Sequence, residues 1–96
     1  MIDGKYSITM DIPAGIQKGT LELRTRGNIV DVNIDIMGTR KTLSGTTDGS
    51  RFEFSGTVRK MLIKLTFDVS GSVSGNILTA SAKSNLGDFT VNGVRL

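Results

Sequence analysis

The search for chemistry in this chain starts from what its 96 residues omit: there is no histidine and no cysteine. That removes the commonest general base, the commonest metal ligand and the best nucleophile. Carboxylates remain. Asp31 and Asp35 are four residues apart in Val30-Asp31-Val32-Asn33-Ile34-Asp35-Ile36, a spacing that puts both on one face of a strand. It is the polar face, opposite the valines and isoleucines, so the pair reads as ordinary solvated groups rather than an acid–base or metal pair. Glu22, Glu53 and Asp68 are likewise out of phase with their apolar neighbours. No Gly-x-x-x-x-Gly-Lys-Ser/Thr phosphate loop occurs. The expectation is a protein that is not an enzyme, with no metal and no cofactor.

Binding is the next class. Arg24, Arg26, Arg40, Lys41, Arg51, Arg59, Lys60 and Lys64 supply positive charge, but Tyr6, Phe52, Phe54, Phe67 and Phe89 all fall on the apolar phase. Nucleic-acid binding needs aromatics free to stack on bases, so no nucleic-acid partner is expected. A small molecule inside the fold fits better. Tyr6, Met10, Ile34, Phe52, Phe54, Leu65, Phe67, Phe89 and Arg95 would line an interior. Arg95 is the inward-phase charge of the last strand. It either meets an acidic ligand or caps one end by stacking on Tyr6 as a cation–π pair. The candidate ligand is a small apolar or acidic molecule. A third class is self-association. Ile29, Met37, Leu62, Ile77, Val94 and Leu96 fall on the outward phase, and Ile77, Val94 and Leu96 come together as a candidate homodimer interface.

The elements that position these residues are strands. Tyr6, Ile8, Met10 and Ile12 alternate with polar residues, as do Val30, Val32, Ile34 and Ile36, and Ile63, Leu65, Phe67 and Val69. A period of two is the mark of a strand with one buried face. Arg26-Gly27, Asp48-Gly49 and Ser74-Gly75 read as two-residue hairpin turns. Further breaks fall near Pro13-Ala14-Gly15, Met37-Gly38, Arg59-Lys60 and Leu86-Gly87, giving a weak internal repeat of one hairpin unit. The strands are expected over residues 4–12, 18–25, 28–37, 39–47, 50–58, 61–73, 76–83 and 87–96. Turns at these places pair Leu43 with Phe54, Gly45 with Phe52, Phe54 with Leu65, Phe52 with Phe67, Val69 with Ala80, Phe67 with Ala82, Ala80 with Val91, Ala82 with Phe89 and Ile77 with Val94. Apolar meets apolar or glycine throughout, which a single slip would undo. The fold class is therefore all-β: eight antiparallel strands in an up-and-down meander, closed into a small barrel because closure removes two exposed edges.

Composition is consistent with one domain over residues 1–96. The net charge is +3, with signs interspersed along the chain. No run of eighteen apolar residues and no basic-then-apolar leader is present, and cysteine is absent, so a cytoplasmic protein with no membrane partner is expected.

Two resemblances follow. Gly4-Lys5-Tyr6 at the start of the first strand and Arg95 near the end of the last resemble the Gly-x-Trp and late arginine of calycin barrels (lipocalins, fatty-acid-binding proteins and avidins), with Tyr6 in place of the tryptophan. Over nearly the whole chain, Pro13-Ala14-Gly15, Gly19-Thr20-Leu21, Leu43-Ser44-Gly45, Asp48-Gly49, Phe52-Glu53-Phe54-Ser55-Gly56, Val73-Ser74-Gly75-Asn76 and Phe89-Thr90-Val91-Asn92-Gly93-Val94-Arg95 look like a group of small bacterial all-β domains. These occur alone or as tails on flavin-dependent oxidoreductases. The resemblance implies a calycin-like barrel and an accessory role, as a homodimer or as partner of an oxidoreductase, and it carries no catalytic residues.

Overall fold

The structure is a computed structural model and describes residues 2–12, 15–36, 38–60 and 62–96. Eight strands run β1 (Gly4–Ile12), β2 (Gly15–Arg26), β3 (Ile29–Ile36), β4 (Thr39–Thr47), β5 (Arg51–Lys60), β6 (Ile63–Ser74), β7 (Ile77–Ser84) and β8 (Phe89–Arg95). Each pairs antiparallel with the next, and β8 returns to β1 to close the barrel. The expected all-β meander is the observed one.

The alternation read from the sequence becomes the barrel wall. Tyr6, Ile8 and Met10 of β1, Val30, Val32, Ile34 and Ile36 of β3, and Leu65, Phe67 and Val69 of β6 all point inward and are buried. Small residues sit opposite large ones: Gly45 faces Phe54 and Gly56 faces Phe67. At Gly56 the space that a Cβ would take is filled by the Leu43 side chain. Phe54 stacks on Phe52 at 5.9 Å and meets Phe67 edge-on at 6.4 Å, geometries that add about 0.5–1.5 kcal/mol per pair to the area they bury.

Three expected registers are corrected. Gly45 pairs with Phe54 rather than Phe52, Val69 with Ala82 rather than Ala80, and Phe54 with Val69 rather than Leu65. The cause lies in the turns. At Gly27-Asn28 and Gly75-Asn76 the glycine takes the first central position of the turn, with φ of +63° and +60°; Gly49, at +108°, does the same before Ser50. A positive φ at the first central residue is what the primed hairpin turns require. The sequence reading put glycine second. Moving a turn centre by one residue shifts the partner by two, and a shift of two keeps every side chain on its face. The β5–β6 turn lies two residues later than Arg59-Lys60, with Lys60 opposite Ile63 as the last pair, so its register moves by four. The β7–β8 register is as expected, with Ala80 opposite Val91, Ala82 opposite Phe89 and Ile77 opposite Val94.

The β4–β5 ladder is the short one. It runs only over Gly45–Phe54, Thr46–Glu53 and Thr47–Phe52, while residues 39–44 and 55–60 are held by their other neighbours, β3 and β6.

Candidate functional site

Three places bring candidate residues together: the barrel interior, the end closed by Arg95, and the outer wall.

The interior holds an apolar cavity of about 20 Å³. Met10, Ile34, Phe52, Phe54, Leu65, Phe67 and Phe89, all expected to line an interior, do line it. A volume near 20 Å³ is about that of one water-sized sphere, and with wholly apolar walls such a void stays dry. Among the phenylalanines, Phe54 packs against both Phe52 and Phe67. Tyr6 and Arg95, also expected to line an interior, do not line this cavity.

They close one end. Arg95 lies directly opposite Tyr6 in the β1–β8 ladder, with its guanidinium carbon 5.1 Å from the ring centroid. Its Nη1 donates to the Asp3 carbonyl oxygen and its Nη2 to that of Gly75 at 3.4 Å. The Tyr6 hydroxyl donates to the Ile2 carbonyl at 2.7 Å. Burial pushes the Tyr6 phenol above its ordinary value, against the opposing pull of the Arg95 charge, so it stays a donor at neutral pH. Thr25 completes the cap, donating from its backbone N–H and its hydroxyl to the Asp3 carboxylate at 3.1 and 2.6 Å. The hydroxyl bond is the main reason the Asp3 carboxyl sits below its usual range. Of the two roles open to Arg95, the geometry is that of the cap.

On the wall, Asp31 is gripped by Arg26 at 2.6 and 3.0 Å and Asp35 by Arg40 at 3.3 Å. The Arg26 hydrogen bonds hold the Asp31 carboxyl below its ordinary range. The two acids therefore face separate arginines and do not converge. Ile77 and Val94 are exposed opposite one another, with Leu96 exposed close by. Ile29 lies on the outward phase of β3, opposite the exposed Thr46, and is half-buried; Met37 lies outside the described residues. Leu62, in the β5–β6 turn, is fully exposed.

Sequence reasoning missed Lys41. It stands opposite the buried Ile34, on the inward phase of β4, yet is exposed. It borders a surface hollow of about 410 Å³ at the β4–β5 seam, together with Arg40, Arg59, Lys64, Thr39, Thr57 and Val58. The charges were visible in the sequence. Their convergence depends on the registers the sequence reading had displaced.

No protein-family model matches the chain, and no curated protein sequence matches it. Among solved structures, the chain is similar to one described as a redesigned beta barrel, mFAP1, bound to DFHBI, with a TM-score of 0.70 and 13% identity over 99% of this chain and 94% of that one. At that identity the likeness is one of fold. No helix among the described residues is long and apolar enough to cross a membrane.

Proposed function

We propose that this chain is a non-catalytic accessory barrel that acts through its outer surface, and that its interior serves as a structural core. The observation that carries this reading is the cavity: seven of the nine residues expected to line an interior pack around a void of about 20 Å³, whereas small-molecule sites run to about 300–1,000 Å³. The absence of histidine and cysteine and the separate arginine partners of Asp31 and Asp35 support the non-catalytic part. A cytoplasmic setting belongs to the same reading, supported by the lack of cysteine. The accessory role, as a homodimer through Ile77, Val94 and Leu96 or as partner of an oxidoreductase, rests on three exposed apolar side chains and on resemblance, and the latter is an argument by association.

A second reading keeps a small apolar or acidic ligand inside the barrel. It is supported by the wholly apolar cavity lining and by the short β4–β5 ladder, where the strands could part without breaking many pairs. The redesigned barrel of similar fold is described as bound to DFHBI, which supports this reading. Native mass spectrometry of freshly purified protein, repeated after denaturation, separates the two. The surface reading expects the bare mass of one or two chains. A co-purified small molecule, retained natively and lost on unfolding, would install the second reading.

A further inference from the structure

The seam between β4 and β5 carries a row of positive charge with too little negative charge to match it. In the β5–β6 ladder Arg59 stands directly opposite Lys64, on the outer face. Like charges in that position repel. Across the seam, Arg40 holds the same outward row on β4, opposite Asp35, and Lys41 is its neighbour. The four cations border one hollow of about 410 Å³, and none of the residues lining it is acidic. Asp35 bonds Arg40 from the β3 side at 3.3 Å. Arg59, Lys64 and Lys41 have no carboxylate partner among the described residues. Thr39 and Thr57 also line the hollow, and along it residues 39–44 and 55–60 lie outside the β4–β5 ladder, so backbone edges are present as well as side chains.

We propose that this hollow is a binding site for a phosphoryl group. An anion placed there would meet the guanidinium groups of Arg40 and Arg59 and the ammonium groups of Lys41 and Lys64. The planar forks match phosphate oxygens bidentately, and the ammoniums add point charge. A phosphate monoester carries about −1.5 to −2 charges at neutral pH, which offsets more of the unmatched positive charge than a single carboxylate would. The hollow is lined by Arg40, Arg59 and Lys64 on exposed positions of the wall, so the group binds on the wall. Two sources share this chemistry, a soluble phosphate compound and a lipid headgroup. The fully exposed Leu62 in the adjoining turn gives the second a place to rest. The site rests on the outer-surface reading, but its test is separate from the mass measurement, so either can fail alone.

The probe is inorganic pyrophosphate, titrated into the full chain by calorimetry at low salt. Saturable binding is expected, weakened at least tenfold in an Arg59→Gln/Lys64→Gln variant. Both substituted side chains are on the outer face, so the barrel stays folded; circular dichroism confirms this. Arg24→Gln, which removes a cation paired with Glu22 elsewhere on the wall, should leave the affinity within about twofold. Co-sedimentation with phosphatidylcholine vesicles doped with phosphatidic acid separates the sources. Pyrophosphate binding without retention on vesicles assigns the group to a soluble compound. Retention lost in the double variant assigns it to a headgroup. Binding to neither probe, or binding that the double variant leaves unchanged, overturns the proposal.

Discussion

Arg95 lies over the ring of Tyr6, its partner in the β1–β8 ladder, so one pair closes both the sheet and an end of the barrel. The guanidinium also reaches the Asp3 and Gly75 carbonyls. Removing it at Arg95→Ala costs a cation–π contact and at least one charge-assisted hydrogen bond, about 1–3 kcal/mol together. Arg95→Lys should recover less than half, because an ammonium cannot span the two carbonyls and the ring at once. Urea unfolding curves of the three proteins check this. An unchanged midpoint for the alanine variant would remove the cap from the account.

Gly4 tests the same cap from beneath. Its φ is +150°, and a Cβ there would come within 2.6 Å of Arg95 Nη1. Gly4→Ala therefore strains the backbone and displaces the guanidinium. A loss of about 1–2 kcal/mol is expected; the part that comes from displacing the guanidinium should vanish in an Arg95→Ala background, while the backbone strain remains. A double-mutant cycle measures that coupling.

The strands, their faces and this cap were all legible in the sequence, because an alternation of two fixes a face whatever the register. The registers themselves were not. Gly27, Gly49 and Gly75 mark turns unmistakably, but a glycine supplies positive φ at either central position, and only the folded chain shows that it takes the first. Hollow and filled barrels share one pattern too. Phe52, Phe54 and Phe67 point inward in both, and whether they meet depends on ring geometry that no spacing encodes.

The filled core makes its own prediction. Phe54 touches both Phe52 and Phe67, so Phe54→Ala should cost about 3–5 kcal/mol and leave an apolar void. A void so lined stays dry and takes up xenon or benzene. Benzene should therefore raise the melting temperature of the variant and leave that of the parent unchanged. A parent stabilised by benzene would show that its interior already has room.

Acid should weaken the fold through particular carboxylates. Asp3, Asp31 and Asp48 all have pKa values below the ordinary range, held down chiefly by the Thr25 hydroxyl, by Arg26 and by the Arg51 backbone N–H respectively. A carboxylate with a depressed folded value stabilises above its unfolded value, near 3.8, and that contribution is lost as pH falls through the folded one. With no histidine in the chain, stability should be nearly level from about pH 5.5 to 8 and should decline below about pH 4. Asp3→Asn should start lower and show a shallower decline, since it ties β1 to Thr25 through two bonds. Denaturant midpoints across pH read both slopes, and parallel curves would sink the assignment to Asp3.

Arg59 and Lys64 pose the sharpest trade-off in the molecule. Two cations directly opposite in a ladder weaken it, and an opposite-charge pair would strengthen it. Lys64→Glu should therefore raise the melting temperature by about 1–3 °C. The same change puts a carboxylate into a hollow otherwise lined by Arg40, Lys41 and Arg59, which should abolish pyrophosphate binding. A site kept for binding at the expense of stability behaves this way. A variant that is more stable and still binds would mean the cations are ordinary surface charge. One that is less stable would mean Lys64 already has a favourable role in the ladder.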